Sequence, residues 1–205
     1  MLDHIGFDLW SEEYDKTVDV SDAKNTYPFA GYKEILGNIY HTVMEKQNPI
    51  VLDIGIGTGT LSSKLYENGC TIYGQDFSPK MITLAKGKMP NAHLFQADFS
   101  QGLSEPLLKQ SYDYIIATYS LHHLDDARKV SFLQSLLKLL NNDGMIMIGD
   151  VMFETREDME HCKQQSKDTW DNEEIYFVIE ELKETFPSLC FHKVSHCSGI
   201  ITLVN

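Results

Sequence analysis

A chain of 205 residues, 42% hydrophobic and 23% charged, is long enough for one α/β domain with a modest appendage and a core of its own. Its net charge of −13 repels phosphate backbones and anionic lipid, and no basic patch offsets it, which sets aside nucleic acid and membrane as partners. No apolar run approaches the ~20 residues that cross a bilayer, and an opening with Asp3 and Asp8 does not read as a signal peptide. The four cysteines (Cys70, Cys162, Cys190, Cys197) form no C-x-x-C pair and no zinc spacing, so free thiols in a cytoplasmic setting are expected.

Residues 1–48 precede the first strand signal. Phe7, Trp10 and Tyr14 stand in a polar opening, and Tyr27-Pro28 breaks the chain. From Phe29 a helical period places Tyr32, Leu36, Ile39, Tyr40 and Val43 on one face. This leader is expected to lie over the carboxyl ends of the strands as a lid.

Residues 49–150 carry the centre of the fold. Ile50, Val51, Leu52 and Ile54 read as a strand buried on both faces. Gly55, Gly57 and Gly59 follow at every second position, then a helix with Leu61 and Leu65 inward, stopped by Gly69. Glycines at this turn let a ligand lie against the main chain. A second strand, Thr71 to Gln75, ends in Asp76, 17 residues beyond Gly59, where an α/β nucleotide fold places a carboxylate on ribose hydroxyls. Ser78-Pro79 caps and starts a helix with Met81, Ile82, Ala85 and Met89 inward. A third strand, His93 to Ala97, leads to Asp98-Phe99; a fourth, Tyr112 to Ala117, leads to Thr118-Tyr-Ser-Leu-His-His-Leu124. Asp126 opens a helix with Val130, Leu133, Leu136, Leu137 and Leu140 inward, Asn141 to Gly144 reads as a turn, and Met145 to Ile148 as the fifth strand.

The acidic glycine run Asp53-x-Gly55-x-Gly57-x-Gly59 resembles motif I of the class I S-adenosylmethionine-dependent methyltransferases. The G-x-G-x-x-G dinucleotide fingerprint would instead want its third glycine where Thr60 stands, which disfavours a nicotinamide oxidoreductase. Asp76-Phe-Ser-Pro-Lys-Met81 is similar to the family's D-x-S-x-x-M/L, and Ser120-Leu-His-His-Leu124 to its S-x-L-H-H-L loop. The opening from Phe7 to Asp15 resembles the start of small bacterial members. The resemblance implies S-adenosylmethionine as cofactor and methyl transfer to a small-molecule acceptor. It assigns Asp53, Gly55, Gly57, Gly59, Asp76, Phe77 and Ser120 to the cofactor, with Asp98 on the adenine amine, Phe99 on its ring and Tyr14 near the methionine part. A non-catalytic binding protein for S-adenosylmethionine or S-adenosylhomocysteine would carry the same motifs.

Candidate catalytic groups are His122 and Tyr14. Adjacent histidines suggest metal ligands or bases, but neighbouring loop residues usually point apart and no third ligand stands at a convincing spacing, so no metal is expected. The acceptor cannot be read, although the missing N/D-P-P-Y/F motif argues against amide-nitrogen and adenine-N6 methylation.

Residues 151–172 are polar and fall where the family inserts a substrate segment. Residues 173–205 read as a helix from Glu173 to Phe186, stopped by Pro187, and a hairpin of Cys190–His196 with Ile200–Val204. The expected fold is a Rossmann-like, doubly wound α/β domain: a seven-stranded, mostly parallel sheet with a C-terminal antiparallel hairpin.

Overall fold

The computed structural model describes residues 21–204. Helix α1 (Tyr32–Met44) leads into β1 (Ile50–Ile54), α2 (Thr60–Glu67), β2 (Thr71–Asp76), α3 (Pro79–Lys88) and β3 (His93–Gln96). After α4 (Glu105–Leu108) come β4 (Tyr112–Thr118), α5 (Asp126–Leu137) and β5 (Leu140–Phe153). The chain closes with α6 (Arg156–Gln165), β6 (Phe177–Val178), α7 (Ile179–Thr185), β7 (Cys190–Lys193) and β8 (Ser198–Val204).

Seven strands hydrogen-bond in the order β3-β2-β1-β4-β5-β8-β7, and the two-residue β6 pairs with β5 off that path. The pairs β1–β2, β1–β4, β2–β3 and β4–β5 are parallel; β8 runs antiparallel to both β5 and β7. The chain order reverses between β1 and β4, which opens a crevice at their carboxyl ends. Successive residues of a strand face opposite layers. Val51, Ile116 and Met147 pack with Ile35, Ile39, Leu61, Leu65, Ile82 and Ala85. Leu52, Ile115 and Ile146 pack with Leu107, Leu133, Leu136, Ile179 and Leu182 on the other side.

Helix α1 packs on a face of the sheet instead of spanning the strand ends. Ile35, Ile39 and Val43 are its buried residues, and Ile35 lies so close to Gly149 of β5 that a Cβ there would come within 2.2 Å of it. Its first turns still reach the rim of the crevice through Tyr32 and Leu36.

Two other elements differ from the sequence reading. The fifth strand covers 140–153, because Asn141 to Gly144 continue extended across a register shift opposite Tyr112 and Tyr114, and the turn after α5 falls at Lys138-Leu139. The helix expected from Glu173 begins only at Ile179, because Phe177 and Val178 extend against Met152 and Phe153. In the 151–172 segment, α6 starts from a reciprocal cap between Thr155 and Asp158.

Candidate active site

The crevice is built by three strand ends and the loops after them. Gly55, Gly57 and Thr58 come from the turn after β1, Asp76 and Phe77 from the end of β2, and Thr118, Tyr119, Ser120 and His123 from the end of β4 and its loop. Phe99 closes one side, and Tyr32 and Leu36 another. Tyr119, at φ +49, occupies the left-handed region that a bulky residue rarely adopts, and its N–H donates to Gly149 O at 2.8 Å.

The three glycines do different work. A side chain at Gly55 would strike Ser120 Cβ at 2.5 Å, whereas Gly57, at φ +56, has nothing within 4 Å of its missing Cβ. Gly57 is thus the open floor of the crevice. Gly59 is absent from the lining: its missing Cβ faces Met89 Cε at 2.8 Å and Ala85, so it serves the contact of α2 with α3.

Asp76 holds the turn in shape. Its Oδ2 accepts from the Gly57 N–H at 2.8 Å and its Oδ1 from the Ser78 N–H at 2.9 Å. Ser120 Oγ donates to Ile54 O at 2.9 Å, which ties the β4 loop to β1. Asp53 is nearly inaccessible. Ser62 Oγ donates to its Oδ2 at 2.5 Å, and Oδ1 has no partner among the described residues. Burial, only partly opposed by the Ser62 hydroxyl and reinforced by Asp76, pushes this carboxyl up to about 7. Asp98 is exposed and outside the lining, with both oxygens engaged by Ser100 at 2.8 Å. Tyr14 and Trp10 lie outside the described residues.

The histidines correct the sequence reading. The rings of His122 and His123 do not point apart; they meet edge to face with centroids 4.4 Å apart. His123, not His122, lines the crevice. His122 is buried behind it, with Nδ1 2.7 Å from Asp150 Oδ1 and Nε2 3.4 Å from Glu174 Oε1. Burial alone would push His122 down, but Asp150 and Glu174 beside it hold it above its ordinary value. Burial and the neighbouring His122 push His123 down to about 4. Asp150 and Glu174 carried no signal in the sequence, because 51 positions separate His122 from Glu174 and only the tertiary fold joins them.

Glu174 belongs to an aromatic cluster. Tyr176 OH donates to Glu174 Oε2 at 2.7 Å and makes a hydrogen bond with Tyr27 OH, which also accepts from the Asp171 N–H at 3.1 Å. Trp170 stacks on Tyr27 with centroids 5.0 Å apart and meets Tyr176 edge-on.

Against known proteins, the profile of a methyltransferase domain matches residues 51–144. An uncharacterized methyltransferase of Alkaliphilus oremlandii is 33% identical over 180 residues, 88% of this chain and 80% of that protein. The chain belongs to the methyltransferase family. A second member, an uncharacterized methyltransferase of Bacillus mycoides, is 34% identical over 194 residues, 91% of this chain and 88% of its own length. The fold is that of S-adenosylmethionine-dependent methyltransferases. A DhpI–SAH complex superposes with a TM-score of 0.70 at 17% identity, covering 97% of this chain and 93% of that one. The magnesium protoporphyrin IX methyltransferase of Synechocystis with bound SAH gives 0.66 at 17% identity, covering 85% and 83%. Among the described residues, no helix of this methyltransferase is long and apolar enough to cross a membrane.

Proposed function

We propose that this methyltransferase binds S-adenosylmethionine in the β1/β2/β4 crevice and transfers its methyl group to a small-molecule acceptor approaching past His123 and Tyr119. The observation that carries the reading is Asp53 Oδ1, a buried carboxylate oxygen with no partner among the described residues, at the rim of a pocket whose glycine floor is open. An incomplete buried acceptor costs stability unless a donor or cation arrives. A positively charged ligand answers it, and S-adenosylmethionine carries both an ammonium and a sulfonium.

The other residues fit the same ligand. Asp76, a carboxylate at the end of β2 in the crevice lining, stands where it would accept from ribose hydroxyls, the main chain at Gly55 and Gly57 allows close approach, and Phe77 and Phe99 give apolar walls to the adenosyl group. Asp98 is carried by the loop leading to Phe99, within the same edge of the site. Tyr14 remains a proposed contact to the methionine part. The cofactor supplies an already activated methyl group, so the chain's task is to align the acceptor and exclude water. The aromatic cluster of Tyr27, Trp170 and Tyr176, together with the 151–172 segment, supports a small acceptor; the net charge of −13 weighs against nucleic acid.

Calorimetric titration with S-adenosylmethionine, S-adenosylhomocysteine and NAD tests this. The expected result is binding of the first two, none of the third, and a large loss of affinity in Asp76→Ala with the fold retained. No binding of either adenosyl ligand would overturn the assignment. Transfer of labelled methyl to a panel of small thiols, amines and hydroxyl compounds separates an enzyme from a protein that only binds.

A further inference from the structure

His123 lines the crevice and His122 lies behind it, in an arrangement that methyl transfer from a sulfonium does not require. Three donor atoms, one each from His122, His123 and Glu174, lie within 4.8 Å of one another. Asp150 Oδ1 lies 2.7 Å from His122 Nδ1 and Glu174 Oε1 faces Nε2, so a proton or a metal ion belongs between Nε2 and Oε1. Their separation of 3.4 Å is long for a charge-assisted hydrogen bond. It matches a coordination edge: bonds of about 2.0–2.2 Å put neighbouring ligand atoms of a tetrahedron roughly 3.3–3.6 Å apart.

We infer that His122, His123 and Glu174 form a site for a divalent first-row transition metal at the junction of the cofactor crevice and the aromatic cluster.

The surroundings hold the donors as a metal site needs. Asp150 orients His122, and Tyr176 holds the second oxygen of Glu174. The segment carrying Glu174 is pinned at the next residue, because the Ile175 N–H donates to His122 O at 2.9 Å and Ile175 O accepts from the buried Lys129 Nζ at 2.5 Å. Two neutral imidazoles and a carboxylate suit zinc, cobalt, nickel or ferrous iron better than magnesium or calcium. The carboxylates of Glu174 and Asp150 together balance a charge of two. A three-ligand set leaves a fourth coordination position, and His123 brings the site to the lining of the crevice.

The chemical consequence rests on the methyltransferase reading above. An acceptor bound through oxygen or sulfur would lose its proton to solvent on coordination, so that its lone pair forms the new bond to the methyl carbon. The carbon–sulfur bond breaks and its electron pair returns to sulfur, leaving a neutral thioether. No separate general base is then needed.

The test is titration of chelator-treated protein with Co²⁺ alone, followed by visible absorption. One equivalent should bind with ligand-field bands and no thiolate charge transfer, and Cys162→Ser should bind equally well. That control matters because Cys162, His196 and Cys197 form a second cluster with close donor atoms. Glu174→Gln should weaken Co²⁺ binding by more than about 100-fold, beyond what loss of an outer-shell partner costs. His123→Asn should do the same if the first variant folds poorly. Absence of Co²⁺ binding, thiolate charge transfer that vanishes in Cys162→Ser, or undiminished binding in both site variants overturns the proposal. S-adenosylmethionine titration of the same metal-free protein reports on the cofactor reading independently.

Discussion

Asp53 and Asp113 are both buried aspartates on adjacent parallel strands, yet they stand at opposite ends of the sheet and in opposite electrostatic states. Asp113 begins β4. Its Oδ2 accepts from the Ile50 N–H at 2.8 Å, and its Oδ1 from Lys46 Nζ at 2.6 Å and Asn141 Nδ2 at 2.9 Å. Burial pushes Asp113 up, but these donors outweigh it and hold the carboxyl below its ordinary value. Asp53 lies near the end of β1 with, among the described residues, one donor and no partner for Oδ1, and a carboxyl pushed up to about 7 by burial. The amino end of the sheet is electrostatically complete in itself. At the carboxyl end, which carries the crevice, Asp53 is not completed among the described residues.

The largest expected effect comes from pH acting on Asp53. Its folded-state value lies above the ~3.9 of an unfolded aspartate, so the folded protein binds the extra proton. The stability this contributes is complete below about pH 4 and lost as pH rises through about 7. The span corresponds to something on the order of 4 kcal/mol. Asp113 has the opposite sign, its contribution being lost as pH falls below the unfolded value. Chemical denaturation of the ligand-free protein and of Asp53→Asn across pH 4–8 isolates the Asp53 slope, since other carboxylates cancel in the difference. Identical pH profiles would remove the contrast between the two ends.

Next in size is Asp113→Ala. It leaves the Ile50 N–H and the Asn141 amide without their acceptor and should cost about 3 kcal/mol of stability, read from the urea midpoint. Cofactor affinity of the folded variant should not change, because the residue lies at the far end of the sheet. A loss of affinity with stability intact would show that the two ends are coupled.

Asp53→Asn should act in the reverse way. The Asn side-chain oxygen keeps the Ser62 hydroxyl bond while the charge is gone. Affinity for S-adenosylmethionine is expected to fall roughly 10–100-fold, the scale of one charge-assisted contact, with stability at neutral pH held or raised. Calorimetry on the variant measures the first and thermal melting the second.

What the sequence made legible was local. The β1–glycine–α2 turn, the Ser78 cap on α3 (its side chain accepts from the Met81 N–H at 3.1 Å) and Asp76 at a strand end each depend on a few neighbouring residues. What it hid was set by distant partners. Val178 fits a helical period running from Glu173 to Phe186, but the pairing of Phe177 and Val178 with Met152 and Phe153 draws both into a strand. Gly59 has the spacing of a ligand glycine, and only the approach of α3 gives it a packing role. The Asp150–His122–Glu174 alignment needs β5, the β4 loop and the segment before β6 to converge, which no spacing encodes.

The smallest effect tests the most deceptive of these segments. Asn141 to Gly144 has the composition of a turn, yet it continues β5. Its two ends are held: Asn141 donates to Asp113, and Gly144 lies where an added Cβ would come within 2.9 Å of Tyr112 O. Asn141→Ala removes one of three donors to Asp113 and leaves the Lys46 and Ile50 bonds in place. A cost of about 1 kcal/mol follows, as for a single hydrogen bond to a charged group that keeps other partners. The Asp113 carboxyl should also rise toward its ordinary value, measurable by carbon-13 titration, while Asp53 stays where it is. If Asn141→Ala costs as much as Asp113→Ala, the extended course of 141–144 depends on that one bond; a much smaller cost assigns it to the close packing at Gly144.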